Sequence, residues 1–206
     1  MNVLKPWCLP LLFAGLFSGL LAACASPSPA PVLLTLPPAL APAAGTAPAA
    51  AASAPLLAVR RINIPEYLVA RRVRYRADAS TLAEWPNTFW AERIEIGVSR
   101  EFVSALRQQL PGWALCDTTC GDALPALSLQ VDLVPMDYLR GDRRLQARAR
   151  LVLSSSSVPP KELRSQELAF DVPTGADTPQ AQAQAISELL KQAAQAAALL
   201  VREPPR

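Results

Sequence analysis

The chain has 206 residues, 51% of them hydrophobic, with 21 prolines, a formal net charge of +3 and no histidine. The missing histidine removes the Ser-His and Cys-His nucleophile pairs, the usual zinc ligand sets and the commonest general base, so neither metal nor cofactor is expected. The mild charge, +2 once Lys5 is removed, argues against nucleic acid as a partner.

Met1 to Lys5 carries one positive charge, and Pro6 to Leu21 is nearly all apolar. A positive start, an apolar middle and small residues at the end form a secretory signal. Pro10, Gly15 and Gly19 interrupt the run, which falls short of the roughly 20 apolar residues of a spanning helix. It closes on Leu21-Ala22-Ala23-Cys24, which resembles the lipobox of bacterial lipoproteins. That resemblance implies a signal peptide over residues 1–23 and a Cys24 that takes a diacylglyceryl group on sulfur and an acyl chain on its new amine. Several acyl chains anchor a protein far more firmly than one. Ala25, in place of aspartate, resembles the sorting signal for the outer membrane.

Ala25 to Pro55 is rich in Ala and Pro and lacks bulky side chains to bury, so residues 24–55 are expected to be a lipidated tether. Val32-Leu33-Leu34-Thr35-Leu36 interrupts it as a short strand. Residues 56–206 are expected to form one domain.

Four cysteines occur; Cys8 leaves with the signal. Cys116 and Cys120, in "WALCDTTCGD", suit a structural disulfide in an oxidising compartment, with free thiols or a redox or metal role as the alternatives.

In the domain, Leu56 to Ile64 is β-rich and Pro65 stops it. "ARRVRYRAD" alternates, with Arg72, Arg74 and Arg76 on one face and Val73 and Tyr75 on the other, a half-buried strand. The arginine face is either simply solvated or a basic patch for an acidic partner or lipid phosphates. "TLAEW" reads as a short strand ahead of Pro86, and Asn87 or Thr88 as the cap of a helix. Trp90, Ile94, Val98, Phe102, Leu106 and Leu110 recur every four residues, predicting an amphipathic helix over Phe89–Leu110. Gly97 within it suits close helix–sheet packing.

Trp113 to Cys116 is a short strand. Leu127, Leu129, Val131 and Leu133 alternate with polar residues, and after the "LRGD" turn Arg144, Gln146, Arg148 and Arg150 alternate with Leu145, Ala147, Ala149 and Leu151. These predict a long antiparallel hairpin, with "ELRSQELAFDV" returning as the next strand. Asp177 or Thr178 caps a last helix with Pro179 at its first position, burying Ile186, Leu189, Leu190, Ala193, Ala197, Leu200 and Val201. The order gives an α+β fold: two layers, a mostly antiparallel sheet with two helices packed on one face.

Pro65-Glu66-Tyr67-Leu68, Val73-Arg74-Tyr75-Arg76, Trp90-Ala91-Glu92 and the leucines of Leu106–Leu110, behind a lipobox and a "LLTL" strand, resemble the PqiC (YmbA-type) family of ABC-transport auxiliary lipoproteins. The resemblance is specific over roughly residues 62–110. It implies a non-catalytic outer-membrane lipoprotein facing the periplasm. Such a protein partners an MCE-domain protein in intermembrane lipid transport and assembles as a homo-oligomeric ring. Tyr67, Leu68, Arg72, Arg74, Arg76 and Trp85 are the expected interaction residues, since tyrosine and tryptophan often anchor interfaces. Trp90 is expected in the core. The rival readings are an envelope assembly lipoprotein of lipopolysaccharide or pilus machinery, and an enzyme working through Glu66, Glu84, Glu92 and Glu95 alone.

Overall fold

A computed structural model describes residues 29–39, 54–117, 120–121 and 123–203. The expected signal peptide, Cys24, and residues 25–28 and 40–53 of the expected tether lie outside the described residues. Pro31–Arg206 forms one compact unit.

The elements run β1 (Val32–Leu34), β2 (Leu56–Val59), a single 3-10 turn (Glu66–Leu68), β3 (Arg72–Arg76), β4 (Leu82–Trp90), α1 (Ile94–Gln109), β5 (Ala114–Cys116), β6 (Leu127–Leu139), β7 (Arg144–Ser155), β8 (Glu162–Pro173) and α2 (Pro179–Arg202). The eight strands make one mostly antiparallel sheet with both helices on one face, so the α+β class expected from the pattern is the class observed.

The long hairpin β6–β7 and its neighbour β8 form the antiparallel spine. The other edge of β6 is shared. Its first residues pair in parallel with β2, Leu57 opposite Leu127, and its last residue, Leu139, pairs with Arg76 of β3. β4 adds antiparallel to β3, β1 parallel to β4, and β5 parallel to β2.

Period-two alternation sends Leu129, Val131, Leu133, Leu145, Leu151 and Leu153 toward the helices, all fully buried or nearly so. Ile94, Val98, Phe102, Leu106 and Leu110 bury the facing stripe of α1. The stripe of α2 is rich in Ala193, Ala194, Ala197 and Ala198, small enough for close approach. Thr178 caps α2, its hydroxyl accepting from the Ala181 amide at 3.1 Å, with Pro179 at the first position as expected.

Two expectations are corrected. The helix expected from Phe89 starts at Ile94, with Arg93 at the cap, and the strand expected to stop at Trp85 continues as β4 to Trp90. Pro86 is tolerated because β1 pairs only with Thr88–Trp90, so no partner on that side asks Pro86 for an amide hydrogen. The ladder with β3 shifts between Arg72–Phe89 and Arg74–Glu84, and Asn87 takes a left-handed φ of 48°, which Asn adopts more readily than most residues.

The second correction concerns the start of the folded unit. The short strand expected inside the tether is β1, an edge strand of the sheet, so the unit begins at Pro31 and not at Leu56. The chain after β1 then crosses both helices. Leu34 and Leu36 are buried, the Ala91 amide donates to Leu34 O at 2.8 Å, and Ser187 of α2 donates to Pro37 O at 3.0 Å. The buried carboxylate of Glu101 in α1 accepts from the Ala39 amide at 2.9 Å. Gly97 belongs to this crossing rather than to the sheet. A Cβ there would come within 3.2 Å of Glu92 Oε1 and 3.6 Å of Leu36 Cδ1.

Candidate functional site

Pro65 interrupts the extended chain after Ile64, and Glu66–Leu68 closes one 3-10 turn, with the Leu68 amide donating to Pro65 O at 2.9 Å. The turn lays Tyr67 beside β3 and β6. Its hydroxyl donates to Asp137 Oδ1 at 2.9 Å, and the same oxygen takes Arg76 Nη2 at 3.1 Å. The Arg76 guanidinium also sits 5.5 Å from the centre of the Tyr67 ring. Burial first, then the Asp137 acceptor, pushes the Tyr67 phenol above its ordinary range, and Asp137 holds Arg76 above its own. Tyr67 is therefore a neutral donor and Arg76 a fixed cation.

Arg74 donates to Tyr67 O at 2.8 Å and pairs with Glu84 at 3.3 Å. Arg72 reaches the same carboxylate at 3.4 Å and lies 5.0 Å from the Phe89 ring centre. The structure thus brings Tyr67, Arg72, Arg74 and Arg76 into one network on the sheet face away from the helices. Within it Arg76 is 19% exposed and Arg72 is 50% exposed. Arg74 and Arg76 brace the turn, and Arg72 offers the accessible charge. Leu68 is half-buried against the core.

Trp85 does not join them. It points to the helix side, 5% exposed, and donates from its indole to Gln182 Oε1 at 2.7 Å. Gln182 closes the link by donating to Arg74 O at 2.7 Å. Tyr75 lies 5.0 Å and Tyr138 6.4 Å from Trp85 by ring centres, and Arg140 covers Trp85 at 4.4 Å while pairing with Asp177 at 3.0 Å. Trp85 is a core residue because strand alternation puts it opposite the face of Glu84. Trp90 is likewise buried, as expected.

The same open face carries Arg148 and Arg150, exposed and without an ion pair among the described residues. They line a groove of about 480 Å³ with Asp132, Val134 and Glu167. Asp132 sits in register with Arg150. The sequence signal was there, Arg144, Gln146, Arg148 and Arg150 alternating with apolar residues, but it did not single these arginines out from a solvated face.

Three of the four carboxylates considered for catalysis, Glu84, Glu92 and Glu95, are engaged in ion pairs. Glu84 is shared by Arg72 and Arg74, Glu95 pairs with Arg93, and Arg100 binds Glu92 at 2.6 Å. Arg100 holds Glu92 below the usual carboxylate range, opposite to the raised value a general acid needs at neutral pH. Cys116, the last residue of β5, and Cys120 form a disulfide, with Cα atoms 5.2 Å apart.

A compact α+β domain with this network on its open face matches one sequence family over residues 35–198, the ABC-type transport auxiliary lipoprotein component. The chain belongs to that family. Solved structures of similar fold include the following two. A crystal structure of an uncharacterized protein aligns with a TM-score of 0.67 at 17% identity, covering 84% of this chain and 99% of that one. A crystal structure from Xanthomonas campestris, of the DUF330 family, aligns with a TM-score of 0.58 at 17% identity, covering 84% and 92%. No curated protein matches the chain by sequence.

Proposed function

We propose that this auxiliary lipoprotein is anchored in the outer membrane through acylated Cys24, faces the periplasm and performs no catalysis. On this reading it docks, as a homo-oligomeric ring, on an MCE-domain protein of an intermembrane lipid-transport system. The observation that carries the proposal is the order of the chain: Leu21-Ala22-Ala23-Cys24 stands directly ahead of a domain of the transport-auxiliary family.

The docking patch is Arg72 with Tyr67 and Leu68 beside it, braced from below by Arg74 and Arg76. A half-exposed guanidinium whose neighbours are fixed loses little further freedom on binding, and Arg and Tyr are favoured interface anchors. The anchoring half of the proposal is tested by metabolic labelling with radioactive palmitate. The wild-type chain takes the label and fractionates with membranes; Cys24→Ser takes none and moves to the soluble periplasmic fraction. Equal labelling of the two proteins would remove Cys24 as the acylated residue.

A further inference from the structure

We infer that β1 and the crossing segment to Ala39 are the element through which the domain is held to its lipid anchor, and that residues 40–53 are not a tether. The inference rests on the reading of Cys24 as the acylated residue. Pro31, the first residue of the compact unit, stands only seven positions after Cys24. The long Ala/Pro-rich stretch from 40 to 53 joins Ala39 to Ala54, and both ends belong to that one unit. It adds nothing to the reach from the membrane. The load between the lipid anchor and the domain therefore passes through β1.

The contacts of this segment suit that task. Val32, Leu33 and Leu34 pair in register with Thr88, Phe89 and Trp90 of β4. Leu34 and Leu36 are buried in the common core, and four hydrogen bonds follow in sequence, at Leu34 O, Pro37 O, the Ala39 amide and Ala39 O. One of them uses the Glu101 carboxylate, 6% exposed, a charge-assisted acceptor for a backbone donor. Its other oxygen is taken by Arg100 at 3.0 Å, so the carboxylate is fixed in place. The grip spans β4, α1 and α2, three separate elements of the domain.

Two protease recognition sequences, one inserted after Ser28 and one after Thr46, separate the possibilities in the full-length acylated protein. The protein is reconstituted in vesicles of phosphatidylethanolamine and phosphatidylglycerol, cut, and sedimented. The cut after Ser28 releases the domain. The cut after Thr46 leaves the C-terminal fragment on the vesicles, held by β1, and denaturant then releases it. Adding Leu36→Ser and Glu101→Ala to the second protein leaves it bound while uncut and turns the cut into a releasing one. If the cut after Thr46 releases the unsubstituted fragment under native conditions while the cut after Ser28 also releases it, residues 40–53 are a tether and the inference is wrong. If the cut after Ser28 fails to release the domain, the Cys24 anchor itself is wrong and the inference falls with it.

Discussion

Tyr67 and Asp137 stand 70 positions apart in the chain, and the tyrosine hydroxyl donates to the aspartate at 2.9 Å. This bond ties the 3-10 turn after β2 to the last third of β6, with Arg76 entering the same oxygen from β3. One aspartate oxygen thus joins the turn, β3 and β6 within the open-face patch. Tyr67→Phe removes one hydrogen bond and costs about 1 kcal/mol, or about 2–4 °C in Tm for a domain of this size.

The same residue carries a pH signature. Burial and Asp137 raise the Tyr67 phenol above 10.0, so the folded state holds this proton more tightly than the unfolded chain does. A raised folded-state pKa contributes stability that is complete below pH 10 and is lost as the pH climbs through the higher folded value. Thermal melts from pH 9 upward should fall more steeply for the wild type than for Tyr67→Phe. Superimposable alkaline limbs would show that Tyr67 does not titrate abnormally.

Charge reversal separates brace from docking residue. Arg76→Glu sets a second carboxylate beside Asp137, where both side chains are mostly buried, and should cost about 3 kcal/mol, the low end for breaking a buried pair. Arg72→Glu changes a half-exposed side chain and should cost less than about 1 kcal/mol. Urea unfolding measures both. A combined reversal of Arg72, Arg74 and Arg76 is therefore a folding variant, and Arg72→Glu alone is the probe of docking. Its partner affinity should drop about tenfold with the melting curve nearly unchanged.

Gln182→Ala should be among the more damaging changes on α2. Gln182 is 3% exposed and satisfies both the Trp85 indole and the Arg74 carbonyl. Its loss leaves two buried polar groups without their partner, about 1–3 kcal/mol for each at most. A drop of about 5 °C or more in Tm is expected by differential scanning calorimetry. A neutral outcome would mean that water reaches the site.

The disulfide closes a very short loop, which limits its effect on the unfolded chain. Replacing Cys116 and Cys120 by serine should cost about 2 kcal/mol, below the value for long loops. Chemical denaturation of oxidised and substituted proteins measures the difference. Mass spectrometry after alkylation without reductant should find neither cysteine modified in the wild type.

Much of the architecture was legible because its signals are long and periodic. The four-residue stripe of Ile94 to Leu110 and the Thr178–Pro179 start of α2 left little choice, and the alternation of β6 and β7 set their paired faces. β4 was not legible past Trp85, because Pro86 carries a stop signal that only the short reach of β1 cancels. The role of β1 was hidden for a different reason. Three residues amid Ala and Pro show no periodicity, and their partner, β4, is fixed only by the fold. Of the patch, alternation grouped Arg72, Arg74 and Arg76, but the exposure of each depends on Asp137 and Glu84, which local sequence does not bring near. Trp85 was misplaced for the same reason: its partner Gln182 is 97 positions away.

The most direct test of the proposed function is the mass of the full-length acylated protein in mild detergent, alone and mixed with an MCE-domain protein of the same organism, by size-exclusion chromatography with light scattering. A discrete homo-oligomer that co-elutes with the MCE-domain protein, and loses that association in Arg72→Glu, is the predicted result. A monomer that elutes apart from it would contradict the docking reading and favour an envelope assembly lipoprotein of the same fold.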